Sequence, residues 1–239
     1  MNAGQDQRES VAGSLLAYLE SGAQGQLLAH GVRRSFAADE VLLRYGDPTD
    51  HVFVLVHGWV RVSVSAQHGQ QILFALRGPG DVLGDLAALH PSWPRTATVR
   101  ALDTVGVVQL TGEQFVATLH ARPAIAIGLV RQMAGRLREA EAARVDHATL
   151  GVGQRVAAYL WRLAEQHGAA GPEGIVIGMP LTQQDLADRV GSSLRAVARA
   201  MAWLRERHIV ITSRRRIVVT GPEVLRRLAR SAPDGTELM

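Results

Sequence analysis

Between residues 32 and 110 the apolar positions of this chain come in short β-branched runs, at 52–56, 59–64, 71–76, 97–101 and 105–110. Gly46, Gly58, Gly69, Gly78, Gly80 and Gly84 punctuate them. Short strands separated by turn glycines predict a small antiparallel barrel or sandwich. Ahead of it, residues 11–30 read as one helix. Beyond residue 123 the period becomes helical. Ala126, Val130, Met133, Leu137, Ala140, Arg144 and His147 recur at alternating steps of four and three, the seam of a coiled coil. A helix over 123–150 would be about 40 Å long, more than a small domain covers alone, so it is expected to be a dimerisation helix. The plainer alternative is one amphipathic helix packed on the barrel. Gly151 and Gly153 then read as a hinge, 155–167 as a helix, 168–174 as a loop and 175–177 as a strand.

The pattern is sharpest from Leu181 to Val210, where apolar and small residues take the spacing of a helix-turn-helix. Ala187 lets two helices approach, and Gly191, four residues on, stands where the turn needs a left-handed backbone. Val197 faces the first helix, with Leu186, Val190, Met201 and Leu204 completing the buried side. Thr182 is an expected N-cap with Asp185 as its capping-box acid, and Ser192 or Ser193 caps the second helix. Leu194, Arg195, Ala198 and Arg199 then point outward, as a major groove requires. Strands at 209–212 and 217–220 flank Ser213, Arg214, Arg215 and Arg216, a basic wing. An ordinary αα-hairpin is the bland alternative, and the wing argues against it.

Composition narrows the class. With 239 residues, 47% apolar and 20% charged, the chain has room for two modest domains. No apolar run reaches the roughly 18 residues of a membrane span, so a cytoplasmic protein with no membrane partner is expected. The chain has no cysteine, which excludes disulfides and cysteine-ligated metal or iron–sulfur sites. The histidines His51, His57, His68, His90, His120 and His147 are scattered without ligand spacing, so no metal site is expected. No paired carboxylates or nucleophile–base spacing stands out either, so no catalytic residue is assigned and an enzyme is not expected. All 26 basic residues are arginine. From residue 151 onward 13 arginines face 8 acids, whereas residues 1–150 are nearly balanced. The positive half is the half with the helix-turn-helix.

The order of barrel, long helix, glycine hinge and winged helix resembles the superfamily of the cyclic-AMP receptor protein and the fumarate–nitrate regulator. The resemblance runs from about Val32 to Val219. It is densest in the run Gly46-Asp47-Pro48, Gly58, Gly69, Gly78-Pro79-Gly80-Asp81-Val82-Leu83-Gly84-Asp85-Leu86 and Arg95-Thr96-Ala97, which looks like a cyclic-nucleotide-binding roll ending in its phosphate cassette. It implies an α+β fold: a β-roll effector domain over 1–122, a dimerisation helix over 123–150 and a winged helix-turn-helix over 151–239.

The resemblance also implies a site. Gly84 and the short helix opening at Asp85 and Leu86 would meet an anion, while Arg95 and Thr96 match the family's phosphate pair. Asp85 stands where the family has a longer glutamate for the ribose. Ala140 and Glu141 stand where the cyclic-AMP receptor meets adenine with a hydroxyl pair. The effector is therefore expected to be cyclic AMP or another cyclic nucleotide. The departures leave open an effector-independent regulator with a vestigial pocket. On double-stranded DNA, Leu194, Arg195 and Arg199 are expected at the bases. Thr182, Gln184, Ser192, Ser193, Arg214 and Arg215 are expected at phosphates. A homodimer on a pseudo-palindrome follows, with RNA polymerase as a further partner if it activates.

Overall fold

The computed structural model describes residues 10–65, 71–213 and 216–230. They fall into two compact units, the first comprising most of the chain up to Leu137 and the second the chain from Arg138 onward.

The first unit opens with one 3-10 turn, Leu16–Tyr18, and the helix α1 (Ser21–Ala29). Eight strands follow: β1 (Val32–Phe36), β2 (Val41–Leu43), β3 (Val52–His57), β4 (Val60–Ser65), β5 (Gln71–Arg77), β6 (Val82–Leu83), β7 (Thr98–Ala101) and β8 (Val105–Leu110). The helix α2 (Asp85–Leu89) separates β6 from β7, and α3 (Gly112–Ala121) follows β8. The strands form two four-stranded sheets, ordered β1-β8-β3-β6 and β2-β7-β4-β5. Central strand β3 is covered on both faces. Phe53 and Leu55 enter a cluster with Leu42, Val60, Val99 and Val107. Val52 and Val54 enter another with Leu15, Leu27, Phe115, Ile125 and Leu129. Double burial is why this strand reads as an unbroken apolar run.

The expected strands from 52 to 110 are present, whereas the expected single helix over 11–30 is broken. Leu19 and Glu20 take extended backbone between the 3-10 turn and α1, so that Leu15, Leu16, Leu19 and Leu27 all reach the core. Strands β1 and β2 escaped the sequence reading. In β1 four of five side chains are exposed, and its place is set by pairing with β8 from Val32↔Gln109 to Phe36↔Val105. An edge strand held by backbone bonds shows no apolar alternation.

The helix α4 (Pro123–Thr149) is continuous over 27 residues. Ile125, Gly128, Leu129 and Gln132 are buried, and Ala126 and Met133 pack against the roll's core. These last two were expected on the outward seam. Val130 and Leu137 of the expected seam do stay outward, and with Ile127 each is more than half exposed, with exposed Ala134 between them.

The second unit continues with α5 (Val152–His167), β9 (Gly168–Gly171), β10 (Gly174–Ile177), α6 (Gln183–Val190), α7 (Leu194–Glu206), β11 (Val210–Ser213), β12 (Arg216–Val219) and α8 (Pro222–Arg230). Its sheet runs β11-β12-β10-β9. Gly151 caps α5 and Gly153 lies buried inside that helix, so of the two glycines expected at a hinge only Gly151 stands between α4 and α5. The expected loop over 168–174 is a hairpin whose first strand, Gly-Ala-Ala-Gly, pairs with β10 from Gly171↔Gly174 to Gly168↔Ile177. Helix α8 packs on α5 through buried Leu225 and Leu228, three residues apart. No helix among the described residues is long and apolar enough to cross a membrane.

Candidate effector cassette and nucleic-acid interface

Gly84 adopts φ +82°, and a Cβ there would meet Arg95 Nη1 at 2.5 Å and the His51 carbonyl at 2.9 Å. Only glycine lets the two segments close together. Across that gap Arg95 is 3% exposed. It donates from Nε to Thr49 Oγ1 (3.0 Å), from Nη1 to the Gly84 carbonyl (2.9 Å) and from Nη2 to the His51 carbonyl (2.6 Å). Its backbone also closes on the 46–47 turn, donating to Asp47 O and accepting from Gly46 N, both at 2.9 Å. Burial lowers the hold of Arg95 on its proton, opposed by Asp50, Asp47 and Asp85. A guanidinium stays charged through such a change.

Asp85 and Asp81 are both buried. Asp85 Oδ2 accepts from Arg136 Nη1 at 3.0 Å, and Asp81 Oδ1 accepts from Gln132 Nε2 at 2.8 Å. Arg136 Nη2 stands 3.6 Å from Asp81 and donates to the Val82 carbonyl. Gln132 and Arg136 are one turn apart on α4, so a single helix face holds the whole acidic edge of the cassette. Leu86 and Thr96 are exposed beside it. Ala140 and Glu141 are exposed residues of α4 that take no part in these bonds.

His51 packs edge-on against Phe53, ring centroids 4.9 Å apart. Burial first, then the charge of Arg95, hold its imidazole below the ordinary 6.5, with Asp50 opposing. The unfolded chain therefore takes that proton more readily. The stability contributed by neutral His51 is complete above about pH 6.5 and is lost as the pH falls towards the lowered folded value. His51→Gln should remove that part of the acid decline in melting temperature between about pH 7.5 and 5.5. Parallel pH curves for the two proteins would refute it.

In the second unit, Thr182 caps α6: its hydroxyl accepts from Asp185 N and Asp185 Oδ2 accepts from Thr182 N. Gly191 ends the helix at φ +58°, ψ +52°, the expected left-handed turn. Of the two expected caps for α7 it is Ser193, whose hydroxyl accepts from Ala196 N at 3.2 Å. Leu186, Ala187, Val190, Val197, Met201 and Leu204 are buried as expected. Thr182, Gln184, Ser193, Leu194, Arg195 and Arg199 are exposed, and Ser192 is half-buried. Gln184 is tied to Asp188 of its own helix at 2.7 Å. Strands β11 and β12 form the wing, pairing Ser213 with exposed Arg216. Arg214 and Arg215 lie outside the described residues.

The family model of the cyclic nucleotide-binding domain matches residues 33–122, and that of the Crp-like helix-turn-helix domain matches 154–228. A CRP-like cAMP-activated global transcriptional regulator of Mycobacterium tuberculosis is 28% identical over 195 residues, 82% of this chain and 87% of that protein. A CRP-family transcriptional regulator from Thermus thermophilus has a solved structure that superposes with a TM-score of 0.68 at 27% identity, covering 83% of this chain and 97% of that one. FixK2 from Bradyrhizobium japonicum shares the fold, with a TM-score of 0.73 at 24% identity over 84% and 98% of the two chains. The chain belongs to the superfamily of the cyclic-AMP receptor protein and the fumarate–nitrate regulator. It is a DNA-binding transcriptional regulator of that superfamily. The two matched regions coincide with the roll and with the head from α5 to α8, and α4 lies in neither. Gln132 and Arg136 are thus cassette neighbours outside both models, and the sequence reading missed them. Their one signal was a pair of long polar residues, four apart, on a helix face otherwise apolar.

Proposed function

We propose that this regulator works as a homodimer, joined along α4, that reads a pseudo-palindromic operator and responds to an anionic effector of cyclic-nucleotide type. The observation that carries the reading is the exposure of Leu194, Arg195 and Arg199 on the first turns of a capped helix whose opposite face is buried. Thr182, Gln184, Ser192 and Ser193 are the proposed phosphate contacts at the starts of the two helices, and Arg214 and Arg215 are assigned the same role from the sequence. Dimerisation rests on Ile127, Val130, Ala134 and Leu137, exposed at steps of three and four, which a second copy would cover. The reading places the protein in the cytoplasm with its DNA, and with RNA polymerase as partner where it activates.

For the effector, Arg95 has five N–H groups and uses three, so two remain that a phosphodiester could draw on by entering beside this buried side chain, and Thr96, the next residue, is exposed. Asp85 Oδ1 makes no hydrogen bond among the described residues and suits a ribose hydroxyl, with Gly84 allowing close approach and Leu86 covering the edge. Arg136 ties the same carboxylate to α4. A ligand that draws on Asp85 therefore shifts the balance holding α4, a population shift through differential affinity. Ala140 and Glu141, farther along α4, are the proposed base contacts. A second reading, an effector-independent regulator, draws on the same feature, since Asp85 already has a cation.

The test is selection of bound DNA from a random pool, followed by affinity measurement with cyclic AMP, cyclic GMP and cyclic di-GMP. A two-fold motif with half-sites about one helical turn apart is expected. One cyclic mononucleotide should change affinity by about tenfold, a usual size for allosteric coupling. Equal affinity with every nucleotide favours the second reading. No preferred sequence at all defeats the operator assignment.

A further inference from the structure

Beyond Leu137 the helix α4 belongs to the same compact unit as the helices that follow it. Two of its acids, Glu139 and Asp146, lie seven residues apart and so on one face. Each is paired with an arginine of the DNA-reading head: Asp146 with Arg162 of α5 at 2.7 Å, Glu139 with Arg189 of α6 at 3.5 Å. Next to Asp146, the His147 ring stands so close to the helix-turn-helix turn that a Cβ on Gly191 would meet its Cε1 at 2.6 Å. We propose that Arg189, acting through Glu139, fixes the angle at which α4 carries the helix-turn-helix. That angle sets which spacing of operator half-sites two heads can engage together, a role that rests on the dimeric operator reading above.

Leverage distinguishes the two ion pairs. Leu150 and Gly151 separate α4 from α5, and rotation about their backbone would swing the head unless contacts away from them resist it. At about 1.5 Å per residue, Asp146 stands about 8 Å from Gly151 along α4 and Glu139 about 18 Å. Play of about 1 Å at the nearer tie permits roughly 8° of swing, whereas at the farther tie it permits only about 3°. The Glu139–Arg189 pair is therefore the one that sets the angle.

The same pair adds little to stability. Arg189 is 8% exposed, lies 5.1 Å from the centroid of the Tyr159 ring, and has a buried Nε with no hydrogen-bond partner among the described residues. Desolvation of the guanidinium offsets most of what the ion pair returns, so apolar side chains of similar size would hold the helices about as firmly. They would do so without direction, whereas a charge pair over an aromatic face favours one orientation. Arg189 stands two residues before Gly191 and five before Leu194, where the reading helix begins. Helices α6 and α7 share the buried residues Leu186, Val190, Val197 and Met201, so a rotation of α6 passes directly to α7. Arg189 is a positioning residue, and Leu194, Arg195 and Arg199 do the reading.

The test uses the full chain and its Arg189→Met, Glu139→Met and doubly substituted variants. Each is offered DNA carrying two copies of the half-site that the parent selects, with the spacer varied one base pair at a time. The parent should prefer one spacer over its neighbours, and each variant should lose about fivefold or more of that preference, a usual size for one coupled pair. Base preference within the half-site should stay the same, because the reading residues are untouched. The melting temperature of the double variant should stay within about 2 °C of the parent's. Glu139→Gln, which keeps the size and removes the charge, should blunt the spacer preference as well and covers a folding failure of the methionine variants. A melting temperature that falls while the spacer preference stays sharp assigns the pair a purely structural role and overturns the proposal. A sharp preference kept by every variant overturns it too, and leaves the operator reading standing. A parent that selects no two-fold motif defeats that reading, and the positioning role falls with it.

Discussion

Arg95→Ala should lower the stability of the roll by about 3 kcal/mol, the largest single-residue effect expected in this unit. The side chain is nearly inaccessible and joins three acceptors from two separate segments: the Thr49 hydroxyl, the His51 carbonyl and the Gly84 carbonyl. Truncation leaves the His51 carbonyl unpaired and opens a cavity beside Gly84, whose φ of +82° is tolerated because the two segments are pulled together. The Gly84 carbonyl suffers less, because Ala88 N also reaches it at 3.3 Å. For a chain of this size such a loss corresponds to roughly 6–12 °C in the roll's transition. Arg95→Lys should recover less than half, because a point charge cannot span acceptors on both sides. Calorimetry of the three proteins decides it, and a melting point for Arg95→Ala within about 2 °C of the parent, on the order of the smallest shift that a lost buried bond produces, would refute it.

Arg199→Ala should reduce discrimination at one operator base pair by about 1–3 kcal/mol per half-site, a guanine contact through O6 and N7 being the usual partner of such a residue. Arg199 shares the exposed face of α7 with Leu194 and Arg195. The helix is anchored by the Ser193 cap and by Val197, Met201 and Leu204 in the core, so truncation should leave the fold intact. Arg216→Ala, at the base of the wing, should instead weaken binding evenly across sequences and flatten the salt dependence. Affinities for a half-site series at two salt concentrations separate the outcomes. An unchanged base preference in Arg199→Ala would remove it from the recognition surface.

The helix-turn-helix was legible nearly residue by residue. Its cap at Thr182, the left-handed Gly191 and the six buried apolar positions follow from local rules acting within about thirty residues. The longer strands of the roll that bury side chains, β3, β4, β5, β7 and β8, were legible for the same reason, whereas β2, three residues long, buries Leu42 and Leu43 without enough length to show a pattern. What escaped was held by partners distant in sequence or by backbone bonds alone. Strand β1 is placed by its ladder with β8, and β9 by its ladder with β10, neither of which leaves an apolar signature. The outward seam of α4 keeps Val130 and Leu137 but loses Ala126 and Met133, apolar at the expected period, to the roll's core.

Local chemistry along the chain was enough to establish two β-containing units, a long helix and a DNA-reading head, since caps, turns and periodic burial are short-range effects. Tertiary structure alone decided which charges meet. Arg136 finds Asp85 from 51 positions away and Arg189 finds Glu139 from 50, while Arg155 finds no acid among the described residues. Electrostatic partnership depends on distance in space and on loss of water, and linear order encodes neither.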